Sequence, residues 1–116
     1  MQDNILKIKI HNFIKLVYVN TSKFPKEEIY GLTSQIRRAA VSIMLNYVEG
    51  YARKRPKVML NFYEILYGSA RECKYIIYLS YELKYIDQQN YQNLMAWADE
   101  ISAMLYSSIQ TINKNC

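Results

Sequence analysis

The chain has 116 residues, 51% of them hydrophobic and 22% charged, a balance that supports one packed core and excludes a disordered chain. Only 3 Gly and 2 Pro are present, too few for the many turns of an all-β fold, so composition favours helices. The net charge of +5 raises the expectation of a polyanionic partner without naming one.

The first apolar stripe is Leu6, Ile10, Phe13 and Val17, which share one helical face. Asp3 or Asn4 is the expected N-cap, and the helix should end near Thr21 because Pro25 disfavours helical geometry at Phe24. Pro25-Lys26-Glu27-Glu28 reads as a single helical turn, followed by a restart at Gly31 with Thr33 or Ser34 as cap. The second long helix carries Leu32, Ile36, Ala39, Ala40, Ile43 and Tyr47 inward and runs to about Arg53. Pro56 opens a third helix with a broad apolar face from Met59 to Ser80 that fades around Tyr85 and Ile86. Asp87 caps a fourth helix bearing Tyr91, Leu94, Ala98, Ile101, Leu105 and Ile112, with a frayed tail after Asn113. Four amphipathic helices with short links predict an all-α, antiparallel up-down-up-down four-helix bundle, one domain over residues 1–116.

A polar stripe flanks the apolar face of the second helix: Arg38, Ser42, Asn46 and Glu49. The third helix answers with Glu64, Gly68, Ser69 and Glu72. A reversal near Arg55 sets Arg38 level with Glu72, Ser42 with Gly68, and Asn46 with Glu64. We read this as a structural seam with a buried Arg38–Glu72 ion pair, whose one-sided loss would cost about 3 kcal/mol or more. Gly68 is expected at a tight helix crossing, since a mid-helix glycine otherwise costs ~1 kcal/mol. The seam has no nucleophile–base pair, so an enzyme built on it is disfavoured.

Two outer features are candidate contacts. Arg53, Lys54, Arg55 and Lys57 cluster at one hairpin end, either to bind nucleic-acid phosphates or as a solvated loop facing a helix dipole. Tyr67, Arg71, Lys74, Tyr78, Tyr81 and Tyr85 form a stripe along the third helix. The 12 Tyr exceed what one small core can bury, and we read the stripe as a subunit interface in preference to a base-stacking platform. His11 is the only histidine, so no His-based metal site or dyad is expected, and no cofactor or small-molecule substrate is called for. Cys73 and Cys116 read as free thiols of a cytoplasmic protein. Lysines within the first apolar run argue against a signal peptide, and no run reaches the ~18 apolar residues of a membrane span.

The run from Phe24-Pro25 through Gly31-Leu32-Thr33-Ser34-Gln35-Ile36-Arg37-Arg38-Ala39-Ala40-Val41-Ser42-Ile43, with Asn46, Glu49-Gly50, Gly68-Ser69-Ala70 and Glu72, resembles a bacterial four-helix bundle family. That family is encoded in intervening sequences of large-subunit rRNA genes and is called ribosomal-protein-like. A distant branch holds the accessory variability determinant of diversity-generating retroelements. The resemblance implies the bundle and a ring-shaped homo-oligomer, a pentamer. Through the retroelement branch it implies RNA or a reverse transcriptase as partner. The expected function is a non-enzymatic homo-oligomeric scaffold that binds RNA or an RNA-handling protein through basic surface. The alternative is a protein-interaction module without nucleic-acid contact.

Overall fold

The computed structural model describes residues 2–116, with side chains from Ile5 onward, so the expected cap at Asp3 or Asn4 lies outside the described side chains. Four α-helices follow in order: α1 (Gln2–Thr21), α2 (Leu32–Tyr51), α3 (Pro56–Glu82) and α4 (Gln88–Lys114), with a 3-10 turn at Lys26–Glu28 between the first two. No strand occurs among the described residues. Each helix packs against its two ring neighbours, α1 on α2 and α4, α3 on α2 and α4, with the most extensive contact between α2 and α3. This is a helical bundle of four.

The core is the set of stripes legible in the sequence. Phe13, Ile10, Ile36, Ile43, Leu66, Ile77, Ile101 and Leu105 are all buried, and Leu6, Val17, Tyr47, Tyr63 and Leu94 complete the walls. Burying each such aliphatic or aromatic side chain contributes about 1.5–3 kcal/mol, which offsets the entropy of ordering the helices.

The ends show how the chain is punctuated. Thr21 closes α1 by donating its hydroxyl to the Val17 carbonyl at 2.8 Å. Asp87 caps α4 as expected, its carboxylate accepting from the Asn90 amide at 2.8 Å. The start of α2 differs from expectation: Gly31 occupies the cap position, and Thr33 lies buried inside the helix. The Leu32 amide is instead satisfied by the carboxylate of Glu28 at 3.0 Å, a cap reaching back from the 3-10 turn. The end of α3 also differs, stopping at Glu82. Lys84 takes a left-handed conformation (φ 66°), and the Tyr85 amide reaches back to the Ser80 carbonyl at 2.8 Å. That pairing closes a Schellman turn, where glycine is the usual signpost.

The glycines correct one expectation. Gly68 is exposed, and a Cβ built there would meet nothing within 4 Å. The tight approach lies at Gly50, where a Cβ would stand 2.9 Å from the Phe62 Cβ and 2.9 Å from the Tyr63 ring.

Candidate functional site

The register of α2 against α3 follows the expected pairing within one residue. Ser42 and Ser69 share a hydroxyl–hydroxyl hydrogen bond of 3.0 Å, and Tyr47 packs on Tyr63 with ring centroids 5.8 Å apart. Asn46 closes the local ladder on its own helix, donating to the Ser42 carbonyl at 2.9 Å and the Ser42 hydroxyl at 3.0 Å.

The chemistry assigned to the seam is not what the register delivers. Arg38 and Glu72 are both exposed and line one open groove of about 340 Å³ with Gln35, Ala39, Ser42 and Ser69. The Arg38 guanidinium donates to Ser34 Oγ at 3.3 Å, on its own helix. No buried ion pair ties the helices here. The cause is rotational: both residues sit where the apolar stripe meets solvent, and water competes with a carboxylate for an exposed guanidinium. The cost of removing Arg38 falls to the about 0–1 kcal/mol typical of surface charges. Glu49 is exposed as well and bonds Arg53 one turn along.

Two further ties join the elements of the bundle, and no apolar spacing announces either of them. Arg37 donates from Nε to Thr21 Oγ1 at 2.9 Å and lies over the Tyr18 ring at 4.4 Å, fastening α2 to α1. Glu28, besides capping α2, accepts from the Tyr85 hydroxyl at 2.8 Å, while the Tyr85 ring packs on Phe24 at 5.3 Å. These hydrogen bonds, the Leu32 amide first and the Tyr85 hydroxyl second, hold the Glu28 carboxyl below its usual 4.5. The Tyr85 phenol rises above 10 because its hydroxyl is bonded to that carboxylate. A depressed carboxyl contributes stability above its unfolded pKa that disappears as pH falls through its folded pKa. The Tm advantage of the wild type over Glu28→Gln should therefore be full at pH 7 and shrink on acidification below about 4.5. A gap independent of pH between 7 and 3 would remove the charge from the explanation.

The tyrosine stripe is split by the structure. Tyr67 faces Tyr106 at 6.4 Å, Tyr81 stacks on Tyr91 at 4.3 Å, and Lys74 pairs with Asp99 at 2.8 Å, all across the α3–α4 seam. With Tyr85 held by Glu28, Arg71 and Tyr78 are the two of the six that stay exposed with no partner among the described residues. Most of the stripe is thus used within the chain, because α4 lies closer to it than the apolar periodicity of α3 alone indicates.

The basic cluster occupies the turn after α2 and the start of α3. Arg53 is paired with Glu49, and its guanidinium lies over the Phe62 ring at 5.3 Å. Lys54, Arg55 and Lys57 are exposed and take part in no ion pair among the described residues. Beside them, where α2 ends, α3 begins and α4 finishes, a cavity of about 240 Å³ opens between Tyr51, Met59, Tyr63 and the last turns of α4. A second outer feature is apolar. Tyr18, Val41 and Leu45 line a wide groove between α1 and α2, and Val48, 47% exposed, extends it by one turn. Among the described residues no group of His, Cys, Asp and Glu is placed to hold a metal ion, and no helix is long and apolar enough to cross a membrane.

The sequence profile of the 23S rRNA-intervening sequence protein family matches residues 2–107, nearly the whole bundle. The chain belongs to that family. A crystal structure of a protein of unknown function from the S23 ribosomal protein family of Bacteroides thetaiotaomicron superposes with a TM-score of 0.85 at 25% identity. The match covers 95% of this chain and 99% of that one, so the two share the helical arrangement from end to end. None of the curated proteins matches the chain. The resemblance read from the sequence rests on the Gly31–Gly50 and Gly68–Glu72 blocks, both of which lie within the matched residues. The structure places those blocks along the α2–α3 contact: Gly50 at the tight approach, Ser42 bonded to Ser69.

Proposed function

We propose that this protein is a non-enzymatic, homo-oligomeric helical scaffold that holds RNA by its phosphates at the α2–α3 end of the bundle. The observation that carries the reading is the unpaired charge of Lys54, Arg55 and Lys57, exposed together on one turn. Cations so placed attract a phosphate backbone by counterion release, with little sequence preference. Self-association is supported by the apolar groove of Tyr18, Val41 and Leu45, since large apolar patches on a soluble surface mark contact sites. A five-membered ring is what the resemblance to other bundles of this kind suggests. The family name refers to where such genes lie, within 23S rRNA genes, and supports an RNA setting only indirectly.

The second reading is favoured by the same groove: a module that recruits a protein partner and leaves nucleic acid alone. Charge reversal separates the two. In the triple variant Lys54→Glu, Arg55→Glu, Lys57→Glu, the affinity for structured RNA in a gel shift should drop at least about tenfold. The slope of log K against log salt should fall by about 2–3, with the oligomeric state unchanged by light scattering. Wild-type protein that fails to bind RNA, DNA and heparin at low salt would leave the protein-recruiting reading in possession.

A further inference from the structure

The cavity beside the basic turn lies at the same end of the bundle as the three unpaired cations. Its walls are aromatic and apolar, Tyr51, Tyr63 and Met59, and α4 brings the hydroxyls of Ser107, Ser108 and Thr111 to its edge. At about 240 Å³ it is smaller than the ~300–1,000 Å³ pockets that take drug-sized ligands, and of a size for one flat ring. Tyr51 is held before any ligand arrives. It stacks on Tyr47 at 6.0 Å with planes 28° apart, and Tyr47 is in turn packed against Tyr63. Tyr51 is also 54% exposed and lines the cavity, so its fixed phenol ring borders the space a ligand would enter.

We infer that this cavity accepts a single unstacked base of single-stranded RNA whose phosphates lie along Lys54, Arg55 and Lys57. The inference rests on the RNA reading above and names its substrate class. Charge complementarity brings the backbone to the turn, and a base splayed from it finds an aromatic face on Tyr51 and hydrogen-bonding groups on α4. Stacking of this kind tolerates any base because every base has a π-face. A duplex cannot use the cavity, since its bases remain stacked and only its backbone and groove edges are presented.

Fluorescence anisotropy with a labelled RNA single strand, compared with a duplex of equal length, tests this on the full chain. The wild type should prefer the single strand. Tyr51→Ala should weaken single-strand binding about five- to hundredfold while leaving duplex binding and the salt slope unchanged. Ser107→Phe, which fills the cavity from the exposed side and keeps Tyr51, should do the same, and thermal melts of both variants verify folding. Equal affinity for the two RNAs, unaltered by either variant but abolished by the triple charge reversal, would overturn the cavity and leave the RNA reading standing. Absence of wild-type binding to both RNAs at low salt would overturn the two together.

Discussion

Replacing Gly50 by alanine should lower the stability of this bundle by about 1–2 kcal/mol, whereas the same change at Gly68 should raise it by about 0.5–1 kcal/mol. Both glycines lie within helices, where alanine is intrinsically better by ~1 kcal/mol. At Gly68 nothing opposes that gain, because the new methyl would project into open space. At Gly50 the methyl would arrive 2.9 Å from Phe62 and from the ring of Tyr63. Neither neighbour can withdraw easily: Tyr63 is 4% exposed and wedged against Tyr47, and Phe62 is covered by the Arg53 guanidinium. Overpacking costs about 1–3 kcal/mol, and with three atoms at 2.9–3.0 Å this site stands in the upper part of that range, enough to reverse the sign of the helix-propensity term. Each kcal/mol shifts Tm by roughly 4 °C in a chain of this size, so thermal melts resolve the pair easily. A neutral Gly50→Ala would show that α2 and α3 can separate here without loss, and would remove the physical reason for a glycine at that position.

The two glycines also mark how far the sequence could be read. Apolar periodicity gave every core stripe and, with the break at Arg55-Pro56, the register of α2 on α3. It reports which face of a helix is buried, but not how closely two axes approach, so Gly50 and Gly68 look alike until the neighbouring helix is in place. The same blindness affects the rim. Arg38 and Glu72 are level, as the pairing required, but they stand a fraction of a turn too far out. At that angle solvent, not the partner, sets the side-chain conformation. The apolar stripe of α3 alone points its tyrosines outward, but α4 meets two of them, Tyr81 and Tyr67, with Tyr91 and Tyr106, and pairs Asp99 with Lys74. Lys84 hid the end of α3 for a local reason: a left-handed residue is usually announced by glycine, and lysine gives no such signal. The cavity at the hairpin end is assembled from three helix termini and no spacing within any one of them predicts it. Only the unpaired basic turn beside it was visible as a run of residues.

The bundle's dependence on α1 gives a second large effect. Phe13 is completely buried at the centre of the Leu6–Val17 stripe, and truncating it to alanine should cost about 3–5 kcal/mol through lost transfer energy and the cavity left behind. That is about a fifth or more of the total stability of a typical domain. Cys73 provides the readout from across the core. Its side chain is fully buried, and burial first, with the Glu72 charge second, pushes its thiol up to about 12. At pH 8 it should be inert to iodoacetamide in the folded protein, while the exposed Cys116 reacts. In a Cys116→Ser background the alkylation rate of Cys73 then follows the population of the open state, provided reclosing outruns the chemistry. Phe13→Ala should accelerate that rate by about a hundredfold to several thousandfold, at 1.4 kcal/mol per factor of ten. Phe13 and Cys73 stand on α1 and α3, diagonal helices that meet only through the shared core. Acceleration at Cys73 therefore requires that α1 and α3 open as one cooperative unit. If Cys73 labels within tenfold of the parent rate while the variant loses the helicity of α1, then α1 is a separately detachable strut and the other three helices hold their core without it.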